Sequence, residues 1–208
     1  VVSGQSLGNV QAELIGKLSD GQLEASIQAT DFSAQSAGRL QWTDAKQAYN
    51  AQSFQVQVNE FGTWRLQAPM QIQLTDDSYQ FSPFCLGNIN HSAHVCAEDA
   101  VSAIAIDGRE FPLFLLQPWL NNAGKEFTYS GNATLKGELS KDFSLSGAGF
   151  VNLHAPALKI GVKSTAENEV TRIDDVRLEA NWFGQRIAAK LSATLPQRGF
   201  IEGQLNSG

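Results

Sequence analysis

The chain has 208 residues, of which 42% are hydrophobic and 17% are charged, and its formal net charge is -6. The acidic balance and the lack of a basic stripe argue against nucleic acid and against electrostatic attachment to an anionic membrane surface. The most apolar window, residues 111–120, is shorter than the roughly 20 residues that a membrane-spanning helix needs, so we expect no spanning helix and no leader segment within this sequence.

Alternation of apolar and polar residues dominates the chain. Because successive side chains of a strand point to opposite faces, each alternating run predicts a half-buried antiparallel strand with one polar face. A parallel sheet that is buried on both faces would instead show unbroken apolar runs. In chain order the apolar positions are Leu23, Ala25, Ile27 and Ala29; Phe54, Val56 and Val58; Met70, Ile72 and Leu74; Val176, Leu178, Ala180 and Trp182; and Ile187, Ala189, Leu191, Ala193 and Leu195.

Turn residues separate these runs at positions 19–21, 59–62, 75–78, 107–108, 140–142 and 183–184, which favours a meander. About a dozen strands are predicted, more than an open twisted sheet usually holds without curling, splitting or stacking. The alternation breaks at residues 110–120. There Pro112, followed by Leu113, Leu115 and Leu116, is compatible either with a short helix that covers one end of the sheet or with an irregular segment.

Small residues occupy several inward positions. They allow two interpretations. In the first, which the residues alone favour, bulky partners face them across a packed core. In the second they leave an apolar groove wide enough for an acyl chain. The positions are Ala25, Ala29, Gly137, Ala180, Ala189 and Ala193.

Cys85 and Cys96 are the two cysteines of the chain, and they flank a stretch rich in turn residues. A hairpin would bring them together, so we predict a disulfide and an oxidising compartment. The alternative is a zinc site that adds His91 and His94 to the two thiolates, although this spacing matches no familiar zinc finger or ribbon.

The chain contains no recognisable catalytic motif for a serine hydrolase, a zinc protease, a P-loop or a dinucleotide site. Adjacent acids occur at residues 76–77, 98–99 and 174–175. Neighbours on a strand point to opposite faces, so we interpret these pairs as turn or edge charges. We therefore predict a protein that is not an enzyme, with no catalytic residue, cofactor or metal.

One stretch carries a resemblance to a known family. It combines Gly-Thr-Trp-Arg-Leu-Gln-Ala-Pro at residues 62–69, Phe-Ser-Pro-Phe-Cys-Leu at residues 81–86, and the second cysteine at position 96. This combination is similar to a repeated stretch of the TamB-like translocation and assembly proteins. A second, less specific similarity covers residues 111–120 and 130–137, where glycine-punctuated strands follow a Phe-Pro-Leu motif.

The resemblance implies a periplasmic location and a parent protein anchored in the inner membrane by an N-terminal segment that is absent here. It implies a β-taco fold, a long curved antiparallel sheet that forms an open hydrophobic groove and relates to AsmA-like bridge proteins. We accordingly interpret residues 1–208 as one elongated β module from a longer TamB-like protein. The family is implicated in phospholipid movement between the two membranes and in assembling outer-membrane proteins together with the barrel protein TamA.

Together, the alternation and the resemblance predict a module that carries phospholipid acyl chains along an apolar groove. The alternative is a chaperone for outer-membrane β-barrel proteins that acts with TamA and pairs with client strands. A third possibility is a sugar-binding module that uses Trp42, Trp64, Trp119 or Trp182, although we expect Trp64 and Trp182 to be buried. The predicted groove residues are Phe54, Val56, Val58, Ile72, Leu74, Leu135, Leu139, Val176, Leu178, Ile187 and Leu191.

Overall fold

The computed structural model describes residues 8–44, 46–59, 61–75, 79–100, 102–116, 127–141, 147–162, 169–196 and 199–207. Within these ranges nearly every residue belongs to a strand, and sixteen strands form one open antiparallel sheet. The prediction of an all-β fold built on an open antiparallel sheet is therefore confirmed. By backbone proximity the chain divides into two compact units.

Unit 1 comprises Val1–Ser92 and Cys96–Asp99. Its strands pair in the order β1-β2-β3-β4-β5-β8, while β6 pairs with the first half of β4 and β7 pairs with β6. The strands are β1 Asn9–Lys17, β2 Asp20–Gln28, β3 Phe32–Thr43, β4 Lys46–Val58, β5 Gly62–Leu66, β6 Met70–Leu74, β7 Tyr79–Phe81 and β8 Phe84–Asn88.

Unit 2 comprises Ala93–Val95 and Ala100–Gly208. Its strands pair in the order β10-β12-β13-β14-β15-β16, and the short β11 pairs with the end of β13. The strands are β10 Ala103–Pro112, β11 Phe127–Ser130, β12 Asn132–Ser140, β13 Ala148–Val162, β14 Glu169–Phe183, β15 Arg186–Leu195 and β16 Gly199–Ser207; β9, His94–Asp99, supplies residues to both units.

A β-bulge in β4 of unit 1 decides which of its residues share a face. Ala37 pairs with Ser53 but Gly38 pairs with Ala51, so Gln52 is an extra residue. The inward positions of β4 therefore change from even numbers, such as Phe54, to odd numbers, such as Ala51. The bulge therefore keeps Tyr49 and Ala51 on the same face as Phe54, Val56 and Val58.

A similar irregularity occurs in β14 of unit 2. The register with β15 shifts between Asp174 and Arg177, and Asp175 has a positive φ of 50°. The apolar positions of β14 change there from Val176 to Ile173. The neighbouring β13 changes likewise across Pro156, and its Leu158 pairs with Ile173.

One local prediction is wrong, and one alternative that the sequence left open is decided by the structure. Residues 107–108 lie inside β10 and do not form a turn, because the chain turns earlier, where the Ala100 amide donates to the Ala103 carbonyl over 3.0 Å. The segment after Pro112 forms a four-residue 3₁₀ turn, Leu113–Leu116, and the described residues contain no α-helix. Residues 117–120 lie outside the described part.

Few large side chains are buried. Among the described residues, eight hydrophobic residues are buried, and six of these are alanines; the two large ones are Trp64, 7% exposed, and Leu113, 5% exposed. A domain with a conventional core buries Leu, Ile, Val and Phe in quantity. Most large apolar side chains in the described ranges are instead half-buried or exposed.

Candidate functional site

One face of unit 1 is apolar across its strands. Cross-strand partners in an antiparallel pair lie on the same face, and the register therefore groups predicted groove residues from β4 and β6 together. Ile72 pairs with Tyr49, and Tyr49 shares the face of Phe54 because of the bulge at Gln52. This apolar face contains Val10, Leu14, Leu23, Ile27, Leu40, Tyr49, Phe54, Val56, Val58, Trp64, Leu66, Met70, Ile72 and Leu74.

The opposite face of unit 1 is polar and rich in glutamine. Gln55 pairs with Gln35 and Arg65, and Gln73 pairs with Gln80. Such a face is hydrated without carrying a strong charge. The amphipathic alternation thus separates unit 1 into one apolar and one polar surface.

Unit 2 has an apolar face of the same kind, and the other six predicted groove residues lie on it. Leu135 pairs with Leu153, Leu153 pairs with Leu178, and Leu178 pairs with Leu191, which makes one leucine row across four strands. The adjoining rows contain Gly137, Val151, Ala180, Ala189 and Leu205, and then Leu139, Gly149, Trp182 and Ile187.

None of the eleven predicted groove residues on the apolar faces of the two units is buried. Leu74 is 42% exposed, Leu191 is 42% exposed and Ile187 is 46% exposed, while the other eight predicted groove residues are half-buried. Extended apolar surfaces of this kind are uncommon in monomeric proteins and mark contact sites for apolar ligands or partners.

A cavity of about 900 Å³ lies in unit 1. Its lining takes consecutive residues from β1 to β5, including Gln11, Glu13, Glu24 and Arg65, and it includes Phe54 from the predicted groove. Val10 and Leu14, which flank Ala12 on the apolar face, are not among its lining residues. The cavity therefore opens on the polar face.

The chain matches the family model described as "TamB, N-terminal domain" over residues 1–207. The chain belongs to the TamB family. No curated protein and no solved structure matches it. Membership assigns this TamB domain to bacterial envelope biogenesis. In the described part of the chain, no helix has the length and apolar character required to cross a membrane.

The two cysteines of the TamB domain are joined in the structure. Cys85 on β8 and Cys96 on β9 form a disulfide with Cα atoms 4.0 Å apart. Both sulfurs are used, so the alternative zinc site with His91 and His94 lacks its thiolates. The described residues contain no group of three or more side chains placed to hold a metal ion.

The tryptophans of the TamB domain differ in exposure. Trp64 is buried, as expected, and its Nε1 donates to the Phe61 carbonyl over 3.0 Å. Trp182 is half-buried, so the expectation that it is buried is wrong; Trp42 is 42% exposed, and Trp119 lies outside the described residues. The burial of Trp64 removes it as a stacking surface for a sugar ring.

Trp182 packs directly over Gly149, its cross-strand partner on the apolar face of unit 2. A Cβ atom at position 149 would collide with the indole ring and would lie 2.6 Å from the Glu138 carbonyl oxygen. The glycine therefore provides space for the ring on the sheet surface.

Ion pairs lie on the polar faces. In unit 1 the Arg39 Nη2 donates to Asp20 Oδ2 over 2.6 Å, and this contact lowers the pKa of Asp20. In unit 2, Asp175 Oδ1 lies 3.0 Å from Arg177 Nε and 2.8 Å from His154 Nε2, and these two partners lower the pKa of Asp175.

The adjacent acids Asp174 and Asp175 bind different partners. Asp174 Oδ1 binds Arg172 Nε at 2.6 Å, while Asp175 binds Arg177 and His154. Residues 76–77 lie outside the described part. These contacts agree with the interpretation of Asp174 and Asp175 as surface charges. In the third pair, Asp99 at the end of β9 is half-buried and accepts a hydrogen bond from the Phe81 amide over 3.1 Å.

The sequence reasoning missed several residues of the two faces. Tyr49 was missed because the bulge at Gln52 shifts the alternation of β4 by one residue, so that odd-numbered residues before it share the face of Phe54. Leu153 and Val151 alternate with Asn152, and this local signal predicts their shared face. Leu113 reaches the apolar face of unit 2 from a turn, and no periodic pattern marks it.

Proposed function

We propose that this TamB domain carries the acyl chains of phospholipid along the apolar faces of its sheet and catalyses no reaction. It would act in the periplasm as part of a longer parent protein. That parent would be anchored in the inner membrane and would form a bridge to the outer membrane. The family assignment supports envelope biogenesis as the setting. The disulfide supports an oxidising compartment, because such bonds persist there.

The accessible apolar face is the observation that carries this proposal. In unit 2 the leucine row Leu135, Leu153, Leu178 and Leu191 crosses four strands, and Leu191 is 42% exposed. A face built for a packed core would bury these side chains, yet none of the four is buried. An acyl chain bound on such a face would shield from water the apolar side-chain surface that the protein itself does not bury.

The energy of binding follows from apolar burial alone. Each methylene removed from water contributes about 0.8 kcal/mol, so a hydrocarbon chain needs no hydrogen bond to be retained. Because the contact is non-directional, a chain can move from one row of side chains to the next with little change in free energy. Transport on this surface would be passive.

Paired aspartate substitutions test the proposal. Val56→Asp and Leu191→Asp place a charge on the apolar faces, and we expect each to reduce co-purifying phospholipid strongly, measured by mass spectrometry of extracted lipid. The matched controls, Gln57→Asp and Ser192→Asp, change the neighbouring residue on the polar face and should retain lipid. Strand content by circular dichroism should stay the same in all four. Equal amounts of co-purified phospholipid from the Val56→Asp variant and its Gln57→Asp control would disprove the proposal.

A second candidate function is a chaperone for outer-membrane proteins that acts with TamA. The outer strands favour it, because β1 pairs with β2 and β16 pairs with β15, and each has its other edge unpaired among the described strands. Every residue of β1 and β16 is exposed. A client strand can add to such an edge through backbone hydrogen bonds.

Photocrosslinking separates the two functions. A photoreactive residue at Leu178 on the apolar face should capture lipid, whereas one at Gln204 on β16 should capture nascent outer-membrane protein if the chaperone function operates. Crosslinks to client protein from Gln204 without lipid crosslinks from Leu178 would favour the chaperone over lipid carriage.

A further inference from the structure

The 3₁₀ turn Leu113–Leu116 places one leucine on the apolar face of unit 2. Leu113 is 5% exposed and packs with the buried Ala133 and Ala155. Leu153 and Val176, which lie on the apolar face, pack against this three-residue cluster. Leu113 therefore occupies surface that the sheet would otherwise offer to an apolar ligand.

Small residues create the space that Leu113 fills. Ala133 is 2% exposed and Ala155 is 0% exposed. They lie on the same face as the paired Leu135 and Leu153, two residues further along the same two strands. The change from leucine to alanine makes a depression in the face. The side chain that covers this depression comes from outside the strands.

Leu113 is held in place by the backbone. Its amide donates to the Gly131 carbonyl over 2.9 Å, and Gly131 adopts a positive φ of 131°. A Cβ at position 131 would lie 3.5 Å from Leu113 Cδ1 and would also strike the Ala157 carbonyl. Glycine at this position thus lets the turn approach the sheet closely.

The position of Leu113 divides the apolar face along the strand direction. On one side lie the rows that contain Leu139, Gly137 and Leu135. From Leu135 to Leu139 the strand β12 rises by four residue steps, or about 14 Å. On the other side lies Leu158, which also packs against the cluster. A hydrocarbon chain lying along β12 and β13 from the Leu139 end would meet Leu113 after this distance.

We propose that Leu113 is a specificity-determining residue that limits the length of the acyl chain on unit 2. This inference rests on the proposed function, since it assumes that the apolar face binds acyl chains. Removing the side chain joins the alanine depression to the surface near Leu158, so long chains gain contacts that short chains cannot reach.

The test compares two lysophosphatidylcholine probes, one decanoyl and one stearoyl, by titration against the purified chain and its variants. In Leu113→Ala we expect the affinity ratio of stearoyl to decanoyl probe to rise by about fourfold for each additional methylene buried. Leu113→Met retains the volume and should keep the original ratio. Phe114 is the next residue of the same turn, and its side chain is 36% exposed. Phe114→Ala should therefore also leave the affinity ratio unchanged.

Leu113→Val guards against a folding defect, because it removes less volume than alanine and should raise the ratio in the same direction. Circular dichroism identifies any variant that fails to fold. If both probes bind and the ratio is the same in the folded variants, Leu113 does not limit chain length and the inference is overturned while the proposed function stands. If neither probe binds the unmodified chain, the proposed function fails, and this inference fails with it.

Discussion

Among the described residues, the apolar face of unit 1 crosses a single bulge, at Gln52, whereas that of unit 2 crosses irregularities in three strands, at residues 109–110 of β10, Pro156 of β13 and Asp175 of β14. Their polar faces differ as well. That of unit 1 is rich in neutral glutamine, while that of unit 2 carries several ion pairs, including Arg172 with Asp174 and Lys190 with Glu202.

The difference shows which feature both units maintain. The bulges, the number of charges and the nature of the buried side chains all vary between them, but each unit keeps one face apolar from strand to strand. Each also buries one large side chain, Trp64 in unit 1 and Leu113 in unit 2, among the described residues. Because so few large side chains are buried among the described residues, we expect single local contacts to contribute much of the stability of each unit, and the following predictions test those contacts.

The largest loss in the free energy of unfolding is expected from Trp64→Ala in unit 1. The substitution removes a buried aromatic ring and its hydrogen bond to the Phe61 carbonyl, which should cost about 3–5 kcal/mol in the free energy of unfolding. Hydrogen exchange measured by mass spectrometry should show lost protection in β4, β5 and β8. Trp64→Phe serves as the control and should lose less. Unchanged protection in these strands would show that Trp64 does not anchor unit 1.

The disulfide should rank next. Replacing both Cys85 and Cys96 with serine opens a loop with a sequence separation of 11 residues. The chain-entropy model gives a loss of about 3 kcal/mol for a loop of this size. Urea unfolding of the double variant and of the oxidised parent measures the change. Equal unfolding midpoints would mean that β8 and β9 are held by their other contacts.

A smaller effect is expected in unit 2 from Gly149→Ala. The added methyl group meets the Trp182 ring and the Glu138 carbonyl, so we expect a destabilisation of about 1–3 kcal/mol. Gly203→Ala is the matched control, because a Cβ at that position meets nothing within 4 Å. Thermal unfolding of both variants decides the matter. A midpoint for Gly149→Ala equal to that of the control would contradict the close packing of the ring.

The smallest effect concerns the charges on the polar face of unit 2. Arg177 and His154 lower the pKa of Asp175, so this carboxylate stabilises the folded state above the ordinary aspartate pKa of about 3.9. The stabilisation is lost as the pH falls through the lowered pKa. In Asp175→Asn, which retains a residue tolerant of positive φ, the decrease in stability from pH 7 to pH 3 should be smaller.

Urea unfolding at the two pH values measures this difference. Asp20→Asn gives the corresponding test in unit 1, where Arg39 lowers the pKa of Asp20. The two groups are exposed, so salt should weaken both effects. An acid dependence of Asp175→Asn equal to that of the parent would show that the pair with Arg177 contributes nothing to folding.

The alternation of side chains was enough to predict the strands and, within most runs, the residues that share a face. Phe54, Val56 and Val58 lie on one face of β4, and Ile187 and Leu191 lie on one face of β15. A period of two determines this arrangement wherever a strand is regular. The positions of Cys85 and Cys96 also predicted the disulfide that joins them in the structure.

Local patterns could not locate the irregular positions. Asp107 and Gly108 have the composition of a turn, yet they continue through β10 because pairing with Lys136 and Leu135 outweighs their weak intrinsic preference. The bulge at Gln52 leaves Gln47 and Tyr49 on a face that simple alternation assigns to the other side. The outcome in both cases depends on the register with a partner strand.

The sequence by itself determined the class of fold, the amphipathic character of the strands and the family, because each depends on residues close together in the chain. The tertiary structure alone decided that few large side chains are buried, that a cavity opens on the polar face of unit 1, and that Leu113 covers the alanines of unit 2. These features arise from contacts between residues far apart in sequence, and the free energy of those contacts appears only when the strands pair and the turns bring their side chains onto the sheet.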